Sequence, residues 1–353
     1  MMKLEKVRKE LKSQNLDAIL ITNSFNRHYL SNFTGSSGNL LITLEQAILL
    51  TDFRYIEQAT NQAKDFDIVE HNGPILAETK KQLNKYNVKS LAFEENQVTF
   101  QQYTEFNKEL DVELVPTSNI VENIRIIKTQ DELLIMQEAA NIADHAFREI
   151  LNYIKPGVKE IDVSNELERL MREQGATSSS FDTIVASGYR GALPHGVASD
   201  KEIQTGELVT MDFGALYKNY CSDITRTIAV GDINDELNNI YDTVLQAQLL
   251  GVSGVKAGIT GDEADALTRD YITEKGYGEY FGHSTGHGLG LEVHEEPRLA
   301  KGSNIVLTEN MVVTIEPGVY VPNVGGCRIE DDIIVTTEGN TRLTHSDKEL
   351  IIL

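Results

Sequence analysis

Tryptophan is absent from the chain, and cysteine nearly so: Cys221 and Cys327 are the only two. Two thiols so far apart form no disulfide framework and fit a reducing cytosol. Proline is also scarce, 7 in 353 residues, which excludes a polyproline linker or a collagen-like repeat. No apolar run approaches the roughly 20 residues that cross a bilayer. The opening residues, MMKLEKVRKELKSQ, alternate charge where a signal peptide would be apolar. Positive charge is outnumbered, with Lys+Arg 32 against Asp+Glu 54 and a formal net charge of −22. That balance argues against a nucleic-acid backbone or an anionic membrane as partner. The chain therefore reads as a soluble cytoplasmic protein. Its acidity reads first as a solvated surface, and charge counting does not separate that from carboxylates gathered around cations.

What is present suggests two domains, because 353 residues exceed one comfortable core. The first third alternates helix and strand. Leu4, Val7 and Leu11 have helical spacing, and 17–22 (DAILIT) is a buried-strand candidate. Strands at 40–43 and 47–51 flank a turn at Leu44-Glu45-Gln46. A helix follows at 54–63, then a strand at 90–93. This predicts an α/β domain over 1–125 and a second domain over 126–353. Thr129 and Glu132 have the form of a capping box, opening a helix with Leu133, Met136, Ala140 and Ala143 as its apolar stripe. Further helices are predicted at 161–174, 236–252 and 261–275, with strands between and after them. Two helices then a sheet, twice over, suggests an internal duplication of about 110 residues.

Three segments carry chemistry. In 208–230, two strands meet at Lys218-Asn219, where Asn tolerates the positive φ of a tight hairpin. A two-residue loop pairs 217 with 220, 214 with 223 and 212 with 225. Asp212 and Asp223 then share a face as diagonal neighbours, roughly 6–8 Å apart at Cβ. Two such carboxylates on an apolar hairpin repel unless a cation lies between them. In 282–297, His283, His287 and His294 fall among glycines at 282, 286, 288 and 290. The glycines exclude a helical zinc site and favour an extended backbone that approaches something closely. In 311–336, Glu316 ends an apolar strand, and Arg328, Glu330 and Asp332 are predicted to share one face of the next. Arg328 is a candidate ion-pair partner for Glu330, but it does not account for Glu316. Four carboxylates with one imidazole and no cysteine suit a pair of Mn²⁺ or Co²⁺ ions more than a structural zinc. Two such ions roughly 3.5–4 Å apart would hold a bridging hydroxide.

LPHG (193–196), MDFGA (211–215), SDITRT (222–227), GHGLGLEVHEEP (286–297), TIEPGVY (314–320) and GCRIED (326–331) together resemble the Xaa-Pro peptidases. These are prolidase and aminopeptidase P, in the creatinase and methionine-aminopeptidase superfamily of pita-bread fold. The resemblance covers roughly 126–353, with a creatinase-like α/β domain before it, and implies an α+β chain overall. It implies metal ligands at Asp212, Asp223, His287, Glu316 and Glu330, with Asp223 and Glu330 bridging two divalent ions, Mn²⁺ ahead of Co²⁺ or Zn²⁺. It makes Glu316 the general base or proton shuttle for a bridging hydroxide, and gives His195 and His294 the substrate and the tetrahedral intermediate. His283, Arg298 and Arg328 would bind substrate, Arg328 also orienting the bridging carboxylates, and Thr225 would support the ligands from behind. Gly188-Tyr189-Arg190-Gly191 departs from the Pro-Asn-Ser-like stretch of many relatives.

The resemblance thus implies hydrolysis of the Xaa-Pro bond of a small peptide by a homodimer, with dipeptidase preferred over aminopeptidase P on the strength of Arg298. An N-terminal domain of this length disfavours a methionine aminopeptidase. Retention of all five ligands disfavours both a metal-free amidinohydrolase and a non-catalytic binding module.

Overall fold

The computed structural model describes residues 2–353, in two compact units that part between Arg125 and Ile126. The first unit is built on a mixed six-stranded sheet. Its spatial order is Asp67–Glu70, Ala47–Thr51, Asn39–Thr43, Ala18–Ile21, Ser90–Glu94, Glu113–Thr117. The strands with apolar runs are the buried ones: Ala18–Ile21 and Ala47–Thr51 are buried at every position. The Met2–Ser13 helix buries Leu4, Val7 and Leu11, the residues whose spacing announced it. The helix expected at 54–63 begins instead as a 3-10 turn, Phe53–Tyr55, and becomes α-helical over Ile56–Gln62. Asp52 explains the change, since its side chain caps Arg54 N–H and sets a tight first turn.

The second unit repeats one plan. A helix pair, Gln130–Ile150 and Glu160–Glu173, packs against a sheet ordered Ile224–Val230, Glu207–Phe213, Ile184–Ser187. A second pair, Asp235–Gly254 and Gly261–Glu274, packs against a sheet containing Gly286–Gly288, Val312–Ile315 and Asp331–Val335. Corresponding helices start at 130 and 235 and at 160 and 261, an offset of about 100 residues, as an internal duplication requires. Thr129 and Thr260 each close a capping box, with Glu132 and Glu263, but they cap non-corresponding helices: the counterpart of Thr129 is Asn234 and that of Thr260 is Lys159, so the repeat is in element order and not in the capping residues.

The halves meet along the edges that carry the acidic residues. Glu330 N–H donates to Thr225 O at 3.1 Å, and Arg328 N–H to Thr227 Oγ1 at 3.3 Å. The strand expected to carry Arg328, Glu330 and Asp332 on one face is not continuous. One strand ends at Arg328, and another, in a different sheet, begins at Asp331. Ile329 and Glu330 lie in the crossover, so alternation does not govern where these side chains point.

Candidate metal centre

The hairpin has the expected register. Lys218 and Asn219 both take positive φ, 47° and 68°, as a type I′ turn demands. Tyr217 pairs with Tyr220, Leu216 with Cys221, Phe213 with Ile224, and Asp212 with Thr225. Ladder pairing lapses at Gly214 and Asp223 between the two stretches. Asp223 N–H is freed there and donates to Asp332 Oδ2 of the other half, at 2.9 Å.

His287 sits on the short Gly286–Gly288 strand. What the glycine-rich backbone approaches is a neighbouring strand: a Cβ at position 286 would lie 1.9 Å from Thr314 O. His287 Nδ1 faces Gly288 O at 3.0 Å. A carbonyl only accepts, so Nδ1 carries the proton and Nε2 presents a lone pair. That lone pair faces Asp223 Oδ2 at 3.7 Å and Glu316 Oε1 at 3.3 Å. Burial lowers the His287 pKa to about 4, keeping the ring neutral.

Asp223, His287 and Glu330 are buried, and one ligand atom from each lies within 4.8 Å of the others. Glu316 joins the trio through His287. Asp212 is engaged by Arg328, whose Nη2 donates to Oδ2 at 2.5 Å. The candidate Arg328–Glu330 ion pair does not form, and Arg328 pairs with Asp212 instead. Glu330 Oε2 instead accepts from Thr225 Oγ1 at 2.6 Å, and Thr225 Oγ1 accepts from Arg328 Nε at 3.2 Å. Asp212 Oδ1 and Glu330 Oε1 are buried without a hydrogen-bond partner.

These carboxylates repel one another in a dry place. Burial first, then Glu330 and Asp212, hold the Asp223 carboxyl well above the usual range. Burial, then Glu316 and Asp212, do the same to Glu330. Burial raises Glu316 to about 8, against the pull of Arg328. Orphaned buried oxygens, acids held protonated by their neighbours and a free imidazole lone pair are the donors that divalent cations satisfy. The residues present fit such ions.

The remaining residues surround this group. His294 stacks edge-on to His287 with ring centroids 4.5 Å apart and is exposed, as is His195. His283 Nδ1 faces Ser284 O at 2.8 Å, so Nε2 is the acceptor for Tyr320 O–H at 2.7 Å. Tyr320 Oη in turn accepts from Arg328 Nη1 at 2.8 Å. Arg328 is buried, and it donates to groups of the protein itself: Asp212, Thr225, Tyr320 and Pro194 O. Arg298 is exposed, and its charge acts on His294 and His287. Sequence reasoning gave no role to Tyr320 and did not foresee the Asp332–Asp223 link. Tyr320 lay inside the quoted TIEPGVY motif, while the Asp332 contact spans 109 positions and had no local signal.

Comparison with known proteins agrees with the chemistry of this centre. The chain belongs to metallopeptidase family M24, whose model matches residues 135–337, and the creatinase/prolidase N-terminal domain matches 3–127. Its second unit is thus a pita-bread catalytic fold that works with divalent metal ions. Among the solved structures, an Xaa-Pro dipeptidase from Bacillus anthracis superposes with a TM-score of 0.99 at 59% identity, covering 100% of this chain and 99% of that one. An X-Pro aminopeptidase from Thermotoga maritima MSB8 matches with a TM-score of 0.91 at 39% identity, over 96% and 98% of the two chains. A relative from Pyrococcus horikoshii, an Xaa-Pro dipeptidase, is 42% identical over 99% of this chain and 98% of its own.

Proposed function

We propose that this protein is an Xaa-Pro dipeptidase that uses two divalent ions, Mn²⁺ ahead of Co²⁺ or Zn²⁺. The observation that carries the reading is the buried Asp223, His287 and Glu330 trio with Glu316 and Asp212 beside it, in a chain 42% identical end to end to a named Xaa-Pro dipeptidase. Asp212, Asp223, His287, Glu316 and Glu330 would hold the ions. Bound there, the ions supply Lewis acidity toward the scissile carbonyl and a water acidic enough to attack it.

The chain's own groups do the rest. The proline nitrogen has no N–H and must gain a proton as it leaves. Glu316 is the carrier of that proton, because it is partly open where Asp223 and Glu330 are closed off. His195 and His294, exposed above the centre, hold the substrate and donate to the tetrahedral oxygen. His283, fixed by Tyr320, borders the departing proline, and Arg298 takes the dipeptide's carboxylate. Arg328 serves as an internal brace for Asp212, Thr225 and Tyr320 rather than a substrate contact. The active form is a homodimer.

The similarity to an X-Pro aminopeptidase supports a second reading, release of the first residue from longer Xaa-Pro peptides. Ala-Pro and Ala-Pro-Ala assayed side by side with Mn²⁺, Co²⁺ and Zn²⁺ decide between them. Faster cleavage of Ala-Pro, highest with Mn²⁺, is expected. Faster cleavage of Ala-Pro-Ala would transfer the assignment to aminopeptidase P.

A further inference from the structure

Gly188-Tyr189-Arg190-Gly191, the stretch that departs from the family pattern, leads straight into the arch that bears His195. The backbone makes a 3-10 turn over Gly188–Ala192 and then runs through Leu193, Pro194, His195 and Gly196. Arg190 is mostly buried within this loop, its side chain 16% exposed. Its Nη1 forms an ion pair with Glu160 Oε2, and its Nη2 donates to Val197 O at 2.8 Å. Glu160 opens the Glu160–Glu173 helix and is fully buried. Glu160 Oε1 accepts from Ser187 N–H and Ser187 Oγ, both at 2.8 Å, and Oε2 accepts from Ser199 Oγ at 2.7 Å. One carboxylate therefore gathers the residue before the loop, the residue after it and the arginine inside it.

The opposite flank is held in the same manner. Arg328 Nη1 donates to Pro194 O at 3.2 Å while Nη2 rests on Asp212. His195 thus lies between two backbone carbonyls, those of Pro194 and Val197, each grasped by an arginine anchored on its own carboxylate. A planar guanidinium makes the two bonds from two nitrogens held in a fixed fork, whereas a lysine ammonium would have to reach both acceptors from one nitrogen. We propose that Arg190, seated on Glu160, is a positioning residue that fixes the reach of His195 toward the reacting carbonyl. This rests on the peptidase reading above, and it requires no contact between Arg190 and substrate.

A double-mutant cycle with His195, on the metal-loaded protein and Ala-Pro, tests it. Arg190→Ala is expected to lower kcat by about ten- to a hundred-fold in the native background. With His195→Ala already present, the further loss should be under about two-fold, because the arginine acts through that imidazole. Arg190→Lys keeps a charge on Glu160 but loses the second arm, so it should restore Tm and leave kcat low. Equal losses in both backgrounds, or recovery of both Tm and kcat by Arg190→Lys, would show a purely structural ion pair and overturn the proposal. If Arg190→Ala does not fold, Arg190→Lys is carried through the same cycle. If the wild-type protein cleaves neither Ala-Pro nor Ala-Pro-Ala, the peptidase reading fails on its own. The proposal is then read from the His195 imidazole NMR signals of the zinc-loaded protein, assigned by their loss in His195→Ala. Arg190→Lys must move those signals while leaving His287 in place, and unmoved His195 signals overturn it.

Discussion

Asp332 shows how a residue outside the proposed ligand set can govern one inside it. Its Oδ2 takes the Asp223 N–H at 2.9 Å, in a place buried on both sides. Asp332→Ala leaves the amide unsatisfied, at a cost of about 1–3 kcal/mol. It also releases the backbone that aims Asp223. Manganese affinity, measured by calorimetric titration, should fall by about 10–100-fold. Asp332→Asn retains a carbonyl acceptor and should keep most of the affinity, so equal losses in the two variants would remove the argument. Tyr320 has comparable reach, linking His283 to Arg328 through one hydroxyl. Neither role was legible beforehand. Carboxylates in apolar strands marked Asp212, Asp223, Glu316 and Glu330 as residues in need of a partner. Nothing within ten positions of Asp332 says that its partner is an amide in the other half.

At the scale of elements, the hairpin was the most legible part because two local rules fix it. A two-residue turn sets the pairing, and alternation then sets the faces. The same alternation failed at 328–332 because the chain changes sheets there, which periodicity does not report. Lys218 bears the local strain of the hairpin, with φ 47° on a residue that lacks the short polar side chain suited to it. Replacing Lys218-Asn219 by Asn-Gly should therefore raise stability by about 1 kcal/mol without altering kcat. A lower thermal midpoint for that variant would contradict the turn assignment. The helices were read to within a few residues wherever a threonine cap preceded an apolar stripe.

For the whole molecule, the centre links stability to pH through metal. In the metal-free protein Glu316 titrates near 8 against about 4.5 for an unfolded glutamate, and Asp223 and Glu330 are raised as well. A raised carboxyl binds more protons folded than unfolded between those values. Its contribution is complete below about 4.5 and is lost as pH rises toward 8. The buried histidines, lowered to about 4, work the other way, but only below about 6.5. Above pH 6.5 that opposing contribution fades and the carboxylates dominate. Chelator-treated protein should thus melt at a lower temperature at pH 8 than at pH 6.5, and Mn²⁺ should narrow or invert the difference. Thermal midpoints at the two pH values, with and without Mn²⁺, check this, and a midpoint that rises with pH in the metal-free protein would refute it.

The loop bearing His195 rests on the strand bearing Arg328 at a seam of two glycines. A Cβ on Gly326 would lie 2.2 Å from Gly191 O, and one on Gly191 would lie 3.0 Å from Gly326 N. A side chain at Gly326 would have to part the two walls, and one at Gly191 would press them by a few tenths of an ångström. Tyr189, Leu193 and Val197, on the same loop, are exposed. A substitution at any of these three positions meets solvent, whereas one at Gly326 beneath them would move the loop that carries His195 against the strand that carries Arg328.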